Sequence, residues 1–445
     1  MFFNANIIFA FVLIQQGYSV VLKYTSEHNP EQIHISYGDE PTESMMITWS
    51  TTNATPPPIV LFGKESPTEE VVGKTTKFVD TGKEARVQYV HRVKLTGLQP
   101  ATKYVYKCGS ELGWSDQFSF RTANDSTDWS PKIFLYGDMG ITNNRALPLL
   151  KNEVEKGNVD TIIHVGDFAY NMDDDNGRVG DVFMRQIQPL AANVPYMVCP
   201  GNHERAYNFT QYRMRFSMPG NTESLFYSFN LGPAHFISID TEAYYYPEFG
   251  VWPLINQWNW LINDLKEANK RENRQKRPWI IVYGHHPMYC SNLWIDDCSL
   301  KTTKTRVGIP NKQNNWYEYG LEEIFYNAGV DIEFWGHEHS YERLYPMYDY
   351  RVKKGSGKDP YKNPKAPVHI TSGIAGSRYR STYFSFIRPN WSAFRSTEYG
   401  YTQIHVQNTT HINIKQINAN KKVIDDVWLV KNQNKVFGLN EGDEK

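Results

Sequence analysis

Five short apolar runs in this sequence end in the same way, with Gly followed by a side chain that can bind a metal ion. The runs are Ile133–Asp138, Ile162–Asp167, Tyr196–Asn202, Ile280–His285 and Ile332–His337. Each run predicts a strand that is buried on both faces and stops at Gly, where a Cβ would block a tight turn. The residue after each Gly offers oxygen or nitrogen to a hard or borderline metal. Because the ligand always stands at the carboxyl end, the five turns predict one crevice lined with metal ligands.

The pattern around these runs alternates strands with helices. Helical periodicity covers Ala146–Lys156, Val182–Gln188 and Pro253–Ala268, and strands return in the part from 367 to 432. Such alternation is typical of α/β layering, in which sites lie outside the carboxyl ends of the strands. We therefore predict an α/β domain over residues 131–432, with 367–432 as its C-terminal strand-rich part.

Residues 28–123 carry a different pattern, one of short strands separated by turn residues. The strand candidates are Met46–Trp49, Ile59–Phe62, Arg86–Leu95, Thr102–Cys108 and Gln117–Arg121. The segment Leu98–Tyr106 resembles the corner of a fibronectin-III-like sandwich, where Leu and Tyr pack inward. This all-β domain has no cluster of ligand-type residues, so we interpret it as a support or spacer.

Composition excludes some classes of partner. The chain has 445 residues and a formal net charge of -1, so no bulk field favours nucleic acid or an acidic membrane surface. Its apolar fraction of 40% is enough for a sizeable core. No segment after the N-terminus is long and apolar enough for a membrane span.

The N-terminus and the sequons indicate the secretory pathway. The apolar run Ile7–Ile14, followed by polar residues and Ser19, resembles a signal peptide, which we place at residues 1–19. A positively charged start is missing. Five sequons for N-glycosylation support export and predict modification at Asn53, Asn124, Asn208, Asn390 and Asn408. We expect a secreted or lysosomal glycoprotein.

The chain has four cysteines, at positions 108, 199, 290 and 298. Four cysteines allow three pairings. Cys290 and Cys298 lie eight residues apart in a predicted loop and are our choice for a disulfide. Cys199 stands inside an apolar strand and is more typical of a buried thiol.

The candidate ligands divide into two chemical sets. Asp138, Asp167, Tyr170 and His339 include three oxygen donors that can be anionic and suit a hard, trivalent cation. Asn202, His285 and His337 offer neutral oxygen and imidazole, which are typical of a divalent Zn, Fe or Mn ion. Asp167 can bridge both ions with its two oxygens.

The sequence segments around these ligands resemble the motifs of a known family. The segments Asp138–Gly140, Gly166–Tyr170, Gly201–Glu204, Val282–His285 and Gly336–His339 follow the order and form of the five metallophosphoesterase blocks. Tyr170 narrows the resemblance to the purple acid phosphatases, in their large form with an N-terminal fibronectin-like domain. The resemblance implies an α/β catalytic domain built as a two-sheet β-sandwich flanked by helices, preceded by the all-β sandwich.

The resemblance also implies the chemistry. It implies Fe(III) held by Asp138, Tyr170 and His339, a divalent ion held by Asn202, His285 and His337, and Asp167 between them. The expected activity is an acid phosphatase that hydrolyses small phosphate monoesters by in-line attack of a metal-bound hydroxide.

Three more residues near these blocks are candidates for roles in the reaction. His203 is our candidate general acid; an outer role in orienting Asn202 or phosphate is the alternative. Glu204 and His286 are candidate substrate contacts. For Glu204 the alternatives are orienting His203 or binding solvent, and for His286 the alternative is a packed or capping role.

One stretch departs from the plant members of this family. Those members carry further His residues about ten positions after the block with His285, whereas here the stretch Asn292–Cys298 has none. Leaving-group specificity therefore stays open.

Two alternatives to a monoesterase also stay open: a phosphodiesterase or nucleotide pyrophosphatase of the same superfamily, and a non-catalytic adhesion glycoprotein that keeps the metals structurally. The physiological substrate and the oligomeric state do not follow from the sequence.

Overall fold

The computed structural model describes residues 27–432 except 294, 295, 312, 314, 315 and 380. The signal peptide expected at residues 1–19 lies outside this range. No helix among the described residues combines the length and apolar content that a membrane crossing requires.

The first nine strands form an all-β unit of two sheets. They are β1 (Glu31–Tyr37), β2 (Met45–Thr51), β3 (Ile59–Gly63), β4 (Glu69–Val72), β5 (Lys74–Val79), β6 (Val87–Leu95), β7 (Lys103–Ser110), β8 (Gly113–Trp114) and β9 (Phe118–Arg121). One sheet has the order β1-β2-β6-β5; the other has the order β4-β3-β7-β8, with β9 also paired to β7. All strand pairs in both sheets are antiparallel. The five strands expected from the sequence are present, and β1, β4, β5 and β8 are additional.

The expected sandwich corner is present in this unit. Leu98 and Tyr104 are each 4% exposed, so both pack inward. The Tyr104 hydroxyl accepts a hydrogen bond from the backbone N–H of Gln99 at 2.9 Å, which pins the turn before β7. This arrangement is the tyrosine corner that stabilises such sandwiches.

The part of the chain that is expected to be catalytic begins at Lys132 and mixes strands with helices. Its strands are β10 (Lys132–Tyr136), β11 (Thr161–Val165), β12 (Tyr196–Cys199), β13 (Tyr227–Leu231), β14 (Ala234–Ser238), β15 (Trp279–Tyr283), β16 (Gly308–Pro310), β17 (Tyr317–Tyr319), β18 (Ile332–Trp335), β19 (Tyr341–Leu344), β20 (Met347–Tyr348), β21 (Arg351–Val352), β22 (Val368–Ser372), β23 (Ser392–Ser396), β24 (Gly400–Val406), β25 (His411–Asn418) and β26 (Val423–Val430). Its helices are α1 (Leu147–Glu155), α2 (Arg178–Ala191), α3 (Ala206–Arg215), α4 (Trp252–Ala268), α5 (Arg271–Lys276), α6 (Lys304–Val307) and α7 (Leu321–Asn327).

Two large sheets carry the five apolar runs. The six-stranded sheet has the order β12-β11-β10-β24-β25-β26, and the seven-stranded sheet has the order β13-β14-β15-β18-β22-β19-β23. Strands β10, β11 and β12 are parallel to one another, as are β14, β15, β18 and β22. Every one of the five runs is a strand, and the strand residues are buried apart from the half-buried Lys132. The expected fold class is therefore confirmed.

The C-terminal strands do not form a separate layer. Strand β22 lies in the seven-stranded sheet, whereas β24, β25 and β26 extend the six-stranded sheet from β10. The last strands of the chain thus complete the sheet that the first strands of the catalytic part begin.

The all-β unit packs against the catalytic part through buried polar contacts. The Tyr106 hydroxyl donates to the backbone oxygen of Ala192 at 2.7 Å, just after α2. Asp181 in α2 receives hydrogen bonds from Arg86 at 2.6 Å and Gln88 at 2.9 Å, both near or in β6. These contacts fix the N-terminal unit on the side of α2.

Candidate metal centre

The five Gly-containing turns meet at one edge where the two large sheets come together. Asp138 and Asp167 follow β10 and β11 of one sheet, and His285 and His337 follow β15 and β18 of the other. Asp138 accepts the backbone N–H of His337 at 3.0 Å, which joins a turn of one sheet to a turn of the other. The sequence predicted one crevice, and the structure assembles it from two sheets.

The backbone is strained at several of the predicted ligands. Asp138, Asp167, Tyr170 and His337 all have positive φ, between 51° and 68°. Non-Gly residues rarely adopt this conformation, and its cost of about 1 kcal/mol or more is met by the surrounding fold. Such strain concentrates at functional sites, and here it turns four side chains toward a common centre.

Glycine is needed before the ligands chiefly because the loops approach each other closely. A Cβ on Gly166 would lie 2.5 Å from Nδ1 of His285, and one on Gly336 would lie 2.7 Å from the backbone oxygen of Val165. Gly166 also has a φ of 82°. Larger residues at these two positions would push the ligand loops apart.

One group of donors contains a phenol, a carboxylate and an imidazole. Oη of Tyr170 lies 3.1 Å from Oδ1 of Asp138 and 2.8 Å from Nε2 of His339. The same His339 nitrogen is 3.3 Å from Asp138. All three donor atoms therefore converge, although the residues are far apart in sequence.

A second group contains an amide oxygen and two imidazoles. Oδ1 of Asn202 lies 3.0 Å from Nε2 of His285 and 2.9 Å from Nδ1 of His337. His285 is fully buried, and its Nδ1 lies 2.8 Å from the backbone oxygen of Val165. A carbonyl oxygen only accepts, so Nδ1 carries the proton and the lone pair of Nε2 faces the centre.

Asp167 lies between the two groups. Its Oδ1 is 3.4 Å from Nε2 of His285, and Asp138, Asp167 and His285 each present a ligand atom within 4.8 Å of the others. Burial works against the charge on Asp167, but His285 and His203 hold the pKa of that carboxyl well below its usual value. The Asp167 carboxylate therefore lies beside members of both donor groups, Asp138 and His285.

These donors fit a pair of metal ions. Neighbouring ligands on an octahedral ion with bonds of about 2.1 Å lie about 3 Å apart, which is the spacing within each group. Burial, Asp138 and Asp167 raise the pKa of the Tyr170 phenol well above its usual value, so a phenolate here requires a strong cation. Buried carboxylates without a cation would also be costly.

The sequence did not identify the residues that orient two of the imidazoles. Nε2 of His337 lies 2.9 Å from Oδ2 of Asp296, which leaves Nδ1 facing Asn202. Nδ1 of His339 lies 3.4 Å from Oγ of Ser377. Asp296 and Ser377 have no motif signal of their own, because only the fold brings them to these histidines.

His203 lies on the open side of the centre. Its Nδ1 is 2.7 Å from Oδ1 of Asn171, and its Nε2 is 3.9 Å from Oδ2 of Asp167. The His203 side chain is 22% exposed, in contrast to the nearly enclosed Asp167. Asn171, which the sequence did not single out, therefore fixes the imidazole so that Nε2 lies on the open side of the centre.

Glu204 does not have the position of a substrate contact. It is 2% exposed, and its carboxylate accepts backbone N–H groups from Asp167, Phe168 and Gly201 at 2.9–3.0 Å. Both oxygens are thus occupied in holding two ligand loops together. The expectation that Glu204 binds substrate or orients His203 is corrected to a clamp on the loops.

His286 is also placed away from substrate. It is 6% exposed, and its ring stacks on Tyr245 at 4.0 Å and lies 3.8 Å from the ring of His337. Its Nε2 is 3.3 Å from Glu242. His286 therefore packs behind a ligand, which corrects the expected substrate contact in favour of the packing alternative.

A cavity of about 190 Å³ opens onto the centre. Its lining residues are Asp167, Asn202, His203, Asp296, His337, Glu338, His339 and Thr382. A larger cleft of about 540 Å³ lies between the all-β unit and the catalytic part, but none of the predicted ligands lines it. The smaller cavity is therefore the candidate site for substrate.

A disulfide closes the loop on one side of this cavity. It joins Cys290 and Cys298, whose Cα atoms are 5.3 Å apart. Asp296 lies within the closed loop. Cys108 and Cys199 are free and buried, and burial raises the pKa of both thiols.

Comparisons with known proteins place the chain in a family. Three family models match it: "Purple acid Phosphatase, N-terminal domain" over residues 30–122, "Calcineurin-like phosphoesterase" over 131–341 and "Iron/zinc purple acid phosphatase-like protein C" over 366–426. The chain belongs to the purple acid phosphatase family of metallophosphoesterases.

Individual relatives make the assignment more specific. The chain is 51% identical to acid phosphatase type 7 of Danio rerio over 407 residues, which cover 90% of this chain and 91% of that protein. It is 49% identical to acid phosphatase type 7 of Homo sapiens, with the same coverage. A solved purple acid phosphatase from yellow lupin shares the fold, with a TM-score of 0.75, 21% identity, and coverage of 91% of this chain and 75% of that chain.

Proposed function

We propose that this protein is an acid phosphatase that hydrolyses phosphate monoesters at a dinuclear Fe(III)–M(II) centre, with M being Zn, Fe or Mn. The observation that carries the proposal is the convergence of the seven expected ligands into two groups joined by Asp167. The relatives reported above give no support to a phosphodiesterase or an adhesion protein.

The residues divide between the two ions according to their chemistry. Asp138, Tyr170 and His339 would hold the trivalent ion, because a phenolate and a carboxylate are hard anionic donors. Asn202, His285 and His337 would hold the divalent ion, and Asp167 would be shared by the two ions. When bound, the two ions supply positive charge for the phosphoryl oxygens and acidify water to generate the nucleophile.

His203 is the proposed general acid. Its Nδ1–H donates to Asn171 at 2.7 Å, so a second proton on Nε2 is directed into the cavity. Transfer of that proton to the leaving oxygen would avoid release of an alkoxide. The proposal includes no covalent phosphoenzyme, because acidified water and not a side chain is the proposed nucleophile.

We further place the protein in the secretory pathway. Four of the sequon asparagines, Asn53, Asn208, Asn390 and Asn408, are exposed, and Asn124 is half-buried, so all five are accessible for glycosylation. The Cys290–Cys298 disulfide suits an oxidising compartment. Expression in a secreting cell, followed by glycosidase treatment and mass analysis of the medium, tests this placement.

One set of measurements tests the activity. Purified protein is expected to hold two metal ions per chain, one of them iron, and to hydrolyse p-nitrophenyl phosphate faster than bis(p-nitrophenyl) phosphate. Absence of iron together with absence of monoester hydrolysis at any pH would refute the proposal. Faster hydrolysis of the diester would favour the phosphodiesterase alternative.

A further inference from the structure

The wall of the cavity beside His337 is acidic. The lining contains the carboxylates of Asp167, Asp296 and Glu338, and none of its described residues is Lys or Arg. Asp167 and Glu338 are nearly enclosed, at 1–2% of the residue exposed, whereas the Asp296 side chain is 41% exposed. Asp296 is therefore the negative charge that a molecule entering the cavity would meet.

The position of Asp296 is fixed by its contacts. Its Oδ2 accepts a hydrogen bond from Nε2 of His337 at 2.9 Å, and its Oδ1 accepts the backbone N–H of Asp297 at 2.5 Å. The Cys290–Cys298 disulfide closes the loop around it. The neighbouring Asp297 points elsewhere, since it accepts the Tyr245 hydroxyl at 2.6 Å and the backbone N–H of Lys304 at 2.9 Å.

Asp296 is also close to where a phosphate would bind. The opposite nitrogen of the same imidazole, Nδ1 of His337, is 2.9 Å from Oδ1 of Asn202 in the second donor group. Only the imidazole ring of His337 therefore separates the Asp296 carboxylate from the donor atoms of the second group. At such a distance in a partly enclosed site, the charge of Asp296 and the charge of a bound phosphate interact strongly enough to change the affinity for phosphate severalfold.

The nearby Arg378 does not neutralise this wall. Arg378 lies over the ring of Tyr379, 5.1 Å from its centroid, and is 3.8 Å from Asp174. It is not among the residues that line the cavity. A second phosphate group on the leaving side would therefore face Asp296 with no Lys or Arg among the described lining residues beside it.

We infer that Asp296 makes the site select against substrates with a second anionic group next to the scissile phosphate, such as inorganic pyrophosphate and nucleoside triphosphates. Monoesters with uncharged leaving groups are the favoured class. The inference rests on the proposed phosphatase function and specifies its substrate class.

Three variants separate charge from geometry. Asp296→Asn removes the charge and keeps an oxygen for His337, whereas Asp296→Glu keeps the charge. Asp116→Asn removes the same charge from an exposed position in the all-β unit and is the matched control. For each protein, kcat/KM is measured with pyrophosphate and with p-nitrophenyl phosphate, at low and high salt, and metal content is determined.

We expect Asp296→Asn to raise the ratio of kcat/KM for pyrophosphate to that for p-nitrophenyl phosphate about tenfold at low salt, and less at high salt. Asp296→Glu and Asp116→Asn should keep the wild-type ratio. An unchanged ratio in Asp296→Asn, or an equal rise in Asp296→Glu, overturns the inference while leaving the phosphatase function intact.

Calorimetry provides a readout that does not depend on turnover. Titrating orthophosphate and pyrophosphate into the metal-loaded proteins should show that Asp296→Asn strengthens pyrophosphate binding relative to orthophosphate by about tenfold. If no protein hydrolysed any phosphate ester, the proposed function would fail, and this binding ratio would still decide the inference. An unchanged binding ratio overturns it.

Discussion

Arg86 of the all-β unit donates a hydrogen bond to Asp181 of α2 at 2.6 Å, across the boundary between the two parts of the chain. Asp181 has 3% of its side chain exposed and also pairs with Arg215 at 2.9 Å. Removing one partner of a buried ion pair leaves an uncompensated charge. This pair therefore links the stability of the two parts.

Replacing Asp181 with Asn should destabilise the protein by about 3 kcal/mol, because Arg86 and Arg215 lose their partner in the interior. Thermal unfolding of wild type and variant measures the effect. Glu84→Gln is the control, since the Arg178–Glu84 pair joins the same two parts but is exposed on both sides. Equal midpoints for Asp181→Asn and wild type would contradict the prediction.

The Asp181 contribution should also depend on pH. Burial opposes its ionisation, but Arg215 and Arg86 hold its pKa below the usual value. A carboxyl with a lowered folded pKa stabilises above its unfolded pKa, about 4, and loses that contribution as pH falls through the folded value. The difference in the free energy of unfolding between wild type and Asp181→Asn should therefore be largest at neutral pH and shrink only in strongly acid solution. Unfolding midpoints across this range test the sign.

Tyr170→Phe should abolish the visible absorption expected for a tyrosinate–Fe(III) centre. The variant loses only the oxygen that lies 3.1 Å from Asp138 and 2.8 Å from His339. Absorption spectra and metal analysis of both proteins check the outcome, with circular dichroism to confirm folding. Tyr196→Phe is a matched control, because its hydroxyl is also buried but contacts His164 and Tyr136 instead. A visible band that persists in Tyr170→Phe would exclude this tyrosine as its source.

His203→Ala should reduce kcat/KM about 100-fold for alkyl phosphates and much less for p-nitrophenyl phosphate. The reason is that an alkoxide needs a proton to leave, whereas p-nitrophenolate is stable without one. Asn171→Ala should give a weaker effect with the same dependence on the leaving group, since the imidazole loses its partner at 2.7 Å. An equal loss on both substrates would favour an orienting role for His203.

Glu204→Ala should lower stability by about 3 kcal/mol or more, because three backbone N–H groups lose their acceptor in the interior. Thermal unfolding and metal content measure the result. The stability of Glu204→Gln should lie between those of wild type and Glu204→Ala, since Gln keeps one oxygen but turns an NH₂ group toward a backbone N–H donor. A Glu204→Ala protein as stable as wild type would contradict the clamp.

Local patterns were enough to predict much of the fold and the ligands. The strands before Asp138, Asp167, Asn202, His285 and His337 were predicted because apolar runs and Gly are local signals. Helices α1, α2 and α4 were also expected, with α2 starting earlier, at Arg178, than the sequence suggested.

The missed features depend on contacts between distant segments. Asp296 reaches His337, and Asn171 reaches His203, only after the chain has folded. Segment α3 has positive φ at Tyr207, Asn208 and Phe209, so regular helical periodicity cannot describe it. The division of the ligands between two sheets likewise follows from strand pairing, which a single sequence does not specify.

The pairing of β10 with β24 has a consequence for biosynthesis. Lys132 pairs with His405 and Leu135 with Thr402, so the strand that leads to Asp138 has a neighbour that is synthesised much later than itself. A nascent chain that still lacks β24 leaves one edge of β10 unpaired, and long-range pairings of this kind form slowly. Metal loading should therefore follow the synthesis of β24, and chains truncated before Gly400 should aggregate.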